Sequence, residues 1–240
     1  MNNEVHHSRP RDEIVERIEC LIIEQQLKPG DRLPAERELC EIWECNRMTF
    51  RAAVKRLIAE GKLINIPDTG NYVAPQKLER YLQDLTSFSD FVMLKGRQID
   101  NRLISSCLVS ATTRMAEKLK IPAGSDVFEL VRLRIVDKAP ILLETAQIPC
   151  TKFDGIQKYD FERLSLYSVL ERKYGVIFGG GTEEITITYA DTNEADLLSV
   201  REGEALFYLK GITWDENEDP IELIKSVSRT DRLSFAGILH

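Results

Sequence analysis

The sequence predicts an α+β protein in two parts: a small helical part closed by a hairpin, then a larger and mostly antiparallel sheet. Two observations carry that expectation. In the first 60 residues apolar side chains recur at helical spacing, most clearly Phe50, Ala53, Val54, Leu57 and Ile58 at i, i+3, i+4, i+7 and i+8. From Tyr81 onward the pattern changes to strand-like runs with hairpin-length connections and few helices. The change places one domain at 1–75, a linker at 76–80 and a second domain at 81–240.

Composition narrows the classes of function. A chain of 240 residues, 43% hydrophobic and 30% charged, is long enough for two domains with their own cores. No apolar run reaches membrane-spanning length and the N-terminus has no signal-peptide core, so a cytoplasmic protein without a membrane partner is expected. Cys20, Cys40, Cys45, Cys107 and Cys150 are odd in number and lack C-x-x-C spacing. They read as reduced, mostly buried small hydrophobes rather than a disulfide framework or zinc site. The net charge of −7 counts against nucleic-acid binding if taken globally. Residues 1–77, however, hold 12 Lys and Arg against 13 Asp and Glu, and within 32–62 the balance is 7 against 5. The acidity lies mainly in the second part, which permits DNA binding without identifying it.

Taken in order, residues 11–26 carry Ile14, Val15, Ile18, Leu21 and Ile22 at helical spacing, and Leu27-Lys28-Pro29-Gly30 ends that helix. A tail with His6 and His7 precedes it. A second helix enters at Pro34, with Glu36 and Glu38 in its early turns and Leu39, Ile42 and Trp43 expected in the core. Glu44-Cys45-Asn46 is a short turn. Asn46 then suits the N-cap of the third helix, 46–58, because its side-chain oxygen can accept from first-turn amides. Met48, Arg51, Ala52, Lys55 and Arg56 face away from the stripe, and Arg47 and Thr49 project from the N-terminal end. Glu60-Gly61 stops the helix, and 62–66 and 71–74 are short β-like runs flanking Pro67-Asp68-Thr69-Gly70. Three helices, the last two tightly joined, followed by a hairpin make a winged helix-turn-helix.

Gly30-x-x-Leu33-Pro34-Ala35-Glu36-Arg37-Glu38-Leu39, Asn46-Arg47-Met48-Thr49-Phe50-Arg51-x-Ala53, Leu57-x-x-Glu60-Gly61 and Gly70-x-Tyr72-Val73 resemble the GntR family of bacterial transcription regulators over about the first 75 residues. The resemblance implies DNA contacts by Arg37, Arg47 and Arg51, and a wing whose Gly70 approaches the minor groove. An arginine can bond guanine O6 and N7 in parallel, and Thr49 and Asn46 can reach phosphate or a base edge. Two departures stand out. Asn46 occupies a position where the family has serine or threonine, and the wing residues Ile66-Pro67-Asp68-Thr69 include an acid and no base.

In the second part, strands are expected at 99–109, 126–136, 141–148, 183–190, 205–214 and 221–227, and helices at 112–119, 166–174 and 193–198. Gly179-Gly180-Gly181 lacks the Lys-Ser/Thr of a phosphate loop and reads as a flexible turn. Ser87-Phe88 before a Lys95-Gly96 turn, Arg132-Leu133-Arg134, Glu144, Leu166-Tyr167-x-x-Leu170-x-x-x-Tyr174-Gly175 and Arg229-x-Asp231-Arg232 resemble the UTRA effector domain of HutC-type GntR regulators. That domain's fold is like that of chorismate lyase, a mostly antiparallel α/β sheet. The resemblance implies that Arg132 and Arg134 hold an anionic group, that Glu144 bonds ligand hydroxyls, and that Ser87, Ser165 and Tyr167 belong to ligand loops. Ser165 also suits a plain helix cap. The all-helical partner domain with histidine ligands is disfavoured by the strand pattern, and the histidines are only His6, His7 and His240.

On a strand, Arg132 and Arg134 share a face with Phe128, Leu130 and Val136. Arginines in such company need a ligand, or acids that pair with them. A two-residue turn at Lys138-Ala139 would place Glu144 on the face opposite Arg134, whereas a three-residue turn or a bulge would bring them together. Joint ligand binding requires the second arrangement.

The expected function is a ligand-responsive transcription regulator, a repressor by type. It would bind double-stranded palindromic operator DNA as a homodimer and respond to a small-molecule effector, an anionic metabolite such as a sugar phosphate. No cofactor or metal is expected. An enzyme on the second domain would need a catalytic constellation that the sequence does not offer, and a ligand-independent DNA-binding protein would show no thermal shift with any metabolite.

Overall fold

The computed structural model describes residues 10–83 and 86–237 and divides between Lys77 and Leu78 into two compact units. The expected tail with His6 and His7, and His240, lies outside the described residues.

In the first unit, α1 (Pro10–Glu24), α2 (Glu36–Ile42) and α3 (Arg47–Ala59) precede a hairpin of β1 (Leu63–Ile66) and β2 (Gly70–Val73). Ile14, Val15, Ile18, Leu39, Phe50, Ala53, Val54, Leu57 and Leu63 form one core. Two expected core positions differ. Ile42 is 64% exposed, because the inward arc of α2 is taken by Leu39, Cys40 and the C-cap Trp43 and Ile42 falls beyond its edge. Ile58, two turns beyond Phe50, is 36% exposed at the drifted edge of the stripe. Asn46 caps α3 as expected: its side-chain oxygen accepts from the Thr49 amide at 2.8 Å.

The second unit is built on a six-stranded sheet of order β4-β5-β6-β9-β8-β7, with every neighbouring pair antiparallel. Its strands are β4 (Ile99–Ser110), β5 (Asp126–Val136), β6 (Ala139–Pro149), β7 (Phe178–Tyr189), β8 (Ala205–Asp215) and β9 (Pro220–Arg229). One face is covered by α6 (Leu166–Tyr174) with its flanking loop, against Phe128, Leu130, Ala146 and Ile148, and α4 (Phe88–Leu94) packs against Val136, Ile141 and Leu142. The other is covered by α5 (Thr113–Leu119) and α7 (Thr192–Leu198), against Val127, Leu133 and Val227. The two sets alternate along β5, as a strand buried on both faces requires.

Several features depart from the sequence expectation. Gly179-Gly180-Gly181 lies inside β7 rather than in a turn. A Cβ on Gly179 would fall 2.2 Å from the Asp215 carbonyl oxygen, and one on Gly180 2.7 Å from the Trp214 indole nitrogen, so the glycines permit close strand contact. Of the expected linker, residues 78–80 belong to β3 (Leu78–Tyr81), which pairs in parallel with β10 (Leu233–Ala236). The cysteines are free, but Cys20 and Cys107 are exposed and Cys40 is the buried one. None of the helices described is long and apolar enough to cross a membrane.

Candidate functional site

The connection from β5 to β6 decides the geometry of the larger site. Asp137 and Lys138, both with positive φ (47° and 69°), form a two-residue turn between the paired Val136 and Ala139. The register then shifts: Ile135 pairs with Pro140 but Arg134 with Leu142, which leaves Ile141 as a bulge. The slip of one residue brings Glu144 directly opposite Arg132, on the face that also carries Arg134. Without it Glu144 would point to the other side of the sheet.

Glu144 Oε1 accepts from Arg132 Nη2 at 2.7 Å and from Arg134 Nη2 at 2.8 Å. Arg134 Nη1 also donates to Asn101 Oδ1 at 2.7 Å and Ser89 Oγ at 3.2 Å, and its guanidinium lies 6.0 Å from the Phe88 ring centroid. All three charged side chains are buried, with Arg132 only 1% exposed. Burial pushes the Glu144 carboxyl up, but the guanidiniums of Arg134 and Arg132 outweigh it and hold the group down at about 2. Burial lowers Arg134 to about 10 against the opposing pull of Glu144. Within this triad, three buried guanidinium nitrogens have no hydrogen-bond partner among the described residues: Arg132 Nε and Nη1, and Arg134 Nε.

Beside this triad stands a second buried carboxyl, Glu222, on β9. Tyr167 donates its hydroxyl to Glu222 Oε2 at 2.8 Å, and Thr213, its neighbour across β8, lies 3.4 Å from the same oxygen. Burial, helped by repulsion from Glu144 and opposed by the Tyr167 hydrogen bond, pushes Glu222 up to about 7. The Tyr167 hydroxyl is likewise raised well above its ordinary value by burial and by Glu222, which keeps it a donor. Its ring stacks on Phe178 at 4.3 Å between centroids.

A cavity of about 30 Å³ is lined by Ser87, Arg132, Arg134, Glu144, Ser165 and Tyr167, the six residues expected to hold a ligand, together with Glu222. It has room for about one water molecule, so a larger guest must part the side chains around it. Ser87 caps α4 and donates to Asp90 Oδ2 at 2.6 Å, and Ser165 caps α6, with its Oγ 3.4 Å from the Ser168 amide. Ser165 is thus a helix cap that also lines the cavity.

In the first unit the six residues expected to touch DNA lie on α2, α3 and the wing. Arg47 is exposed. Arg51 is held by Glu36, with Nε 3.0 Å and 3.1 Å from the two carboxylate oxygens, and Arg37 by Glu41 at 2.9 Å. Thr49 donates its hydroxyl to Asn46 Oδ1 at 3.0 Å, so the two polar groups spend part of their capacity on the cap. Gly70 has φ +128°, a conformation that favours glycine.

Residues 10–73 match the family described as "Bacterial regulatory proteins, gntR family", and residues 94–234 match the UTRA domain. The chain is 30% identical over 206 residues to the probable fructoselysine utilization operon transcriptional repressor of Escherichia coli (strain K12), which covers 86% of this chain and 84% of that one. The chain belongs to the gntR family. Another gntR-type relative, the HTH-type transcriptional repressor NagR of Bacillus subtilis (strain 168), is 30% identical over 223 residues, 93% of this chain and 91% of that one. The crystal structure of PhnF from Mycobacterium smegmatis superposes with a TM-score of 0.70 at 26% identity, over 95% of this chain and 99% of the other. This gntR-family chain is a DNA-binding transcription regulator, of a kind with these repressors, and not an enzyme.

Sequence reasoning missed Glu222, Thr213, Ser89 and Asn101. Glu222 had one usable signal, an acid between Ile221 and Leu223 in a strand buried on both faces. The pairing of Arg51 with Glu36 also went unread. Because exposed pairs of this kind are weak, Glu36→Ala is expected to tighten duplex binding only about two- to fivefold, read by fluorescence anisotropy.

Proposed function

We propose that this regulator is a cytoplasmic homodimeric repressor that binds a palindromic operator and is controlled by a small anionic metabolite such as a sugar phosphate. The observation that carries the ligand reading is the set of three buried guanidinium nitrogens of Arg132 and Arg134 without partners among the described residues. Such donors are costly when unmet, and oxygen atoms of an anionic ligand would meet them in the fork geometry that arginine offers. Glu144 would keep the two arginines aligned and accept from ligand hydroxyls, while Tyr167, Ser87 and Ser165 supply neutral donors around the same cavity. The relatives described as repressors support the sign of regulation, one of them described as a probable fructoselysine utilization operon transcriptional repressor.

Support for self-association lies at the sheet's two edges. β4 and β7 are each 12 residues long and leave Ile104, Leu108, Ile187 and Tyr189 exposed. Long apolar edges need a cover. For induction, the effector must bind the DNA-incompetent arrangement of the dimer more tightly than the competent one.

The test is a thermal-shift screen of sugar phosphates, amino acids and carboxylic acids against the full-length protein. A binder at 100 times its dissociation constant should stabilise by about 2.7 kcal/mol. Arg134→Ala is expected to remove that shift and the effector response while duplex binding persists. Loss of duplex binding with an unchanged shift would reject the assignment. In the same duplex assay, Arg47→Ala is expected to erase about 1–3 kcal/mol of preference for a selected sequence over random DNA. Undiminished discrimination would remove Arg47 from the reading surface.

A further inference from the structure

The wing of this regulator lacks the charge that a DNA-contacting hairpin needs. From Leu63 to Val73 there is no lysine or arginine, and the tip carries Asp68. A tip with a net negative charge is repelled by phosphates on both sides of a groove.

A cation reaches the hairpin from elsewhere in the chain. The segment between α1 and α2 runs along the free edge of β2: the Gly30 amide donates to the Val73 carbonyl, the Leu33 amide to the Asn71 carbonyl and the Val73 amide to the Asp31 carbonyl, each at 2.9 Å. Arg32 thereby forms an antiparallel bridge with Tyr72. Its guanidinium lies against Gly70: a Cβ there would sit 3.2 Å from Nε and 3.4 Å from Nη2. Gly70 thus serves two ends, allowing φ +128° and leaving open the space beside the Arg32 side chain. Arg32 is exposed, and among the described residues no carboxylate pairs with it, in contrast to Arg37 and Arg51.

We propose that Arg32, carried on the edge of the wing beside Gly70, enters the DNA minor groove and selects A·T-rich sequence flanking the bases read from α3. The proposal rests on the reading of α3 as the helix in the major groove. A narrow A·T minor groove concentrates negative potential and attracts an inserted arginine, while the missing guanine amino group leaves room for it. Three backbone hydrogen bonds around Arg32 fix where its stem begins, so the side chain is presented by a strand edge rather than by a loose tail.

The experiment uses the full-length protein and a random-sequence duplex library, with wild type, Arg32→Ala and Arg32→Lys selected in parallel. Wild type should enrich a core sequence with A·T-rich flanks. Arg32→Ala should keep the core and lose the flank preference, bind the wild-type duplex about tenfold more weakly, and show a log–log salt slope lower by about 1. Replacing flanking A·T pairs by G·C should weaken wild type, and I·C pairs, which restore the A·T-like minor groove, should recover it. Arg32→Ala should be indifferent to all three. An unchanged flank preference in Arg32→Ala, or a wild-type core without A·T flanks, would overturn the role of Arg32 and leave α3 untouched. A wild type that enriches no sequence would overturn the α3 reading and the proposal with it.

Discussion

Glu144→Ala is expected to destabilise the second unit by about 3–5 kcal/mol, because it strands two buried guanidiniums that now share one carboxylate oxygen at 2.7 and 2.8 Å. The removed group is acceptor and counter-charge together, and a water entering the space it leaves would accept from the arginines without neutralising them. Equilibrium urea denaturation of wild type and variant measures the loss. A saturating anion that occupies the same arginines should restore part of it, which separates lost charge compensation from lost packing. A change below 1 kcal/mol would mean that the arginines reach solvent in solution. The same carboxylate sets an acid limit. Its folded pKa of about 2 lies below the ordinary 4.5, so its contribution is fully present above pH 4.5 and is lost as pH falls toward 2.

Glu222→Gln should act in the opposite direction and at the other end of the pH range. Burial raises the folded pKa of Glu222 to about 7 from an ordinary 4.5. Its contribution to stability is therefore fully present below pH 4.5 and is lost as pH rises through 7. A shift of that size corresponds to roughly 3 kcal/mol. The variant keeps an oxygen to accept from Tyr167, so it should match wild type near pH 5 and exceed it by roughly 3 kcal/mol at pH 8. Parallel stability curves for the two proteins from pH 5 to 8 would show that Glu222 does not titrate in this window.

The parts of the fold legible in the sequence were those written locally. The stripe and cap of α3 need only 13 consecutive residues, and β5 and β6 are joined by two. The pairing of β3 with β10 was not legible, since it joins residues 78–81 to 233–236 and parallel partners leave no turn between them. The bulge at Ile141 could be posed as one of two alternatives but not chosen, because no residue type marks it. Of the candidate site, Arg132 and Arg134 stood out as charges in an apolar strand pattern, whereas Glu144 was marked by the resemblance to the UTRA domain. Asn101 and Ser89 did not, because short polar side chains are ordinary on any strand or helix.

That β3–β10 pairing also governs how the chain enters its second unit. Leu78, the residue after Lys77, is clamped by its amide, which donates a hydrogen bond to the Arg232 carbonyl at 2.9 Å, and shares a core with Leu233, Leu142 and Phe88. Phe88 in turn lies against Arg134. The entry point of the chain and the cover of the cavity at Arg132 and Arg134 therefore rest on the same few side chains. In a close-packed interior they cannot be displaced independently. A guest that pushes Phe88 aside works as a wedge at one end of this clasp, and hydrogen exchange at the Leu78 amide is where its loosening would be heard first.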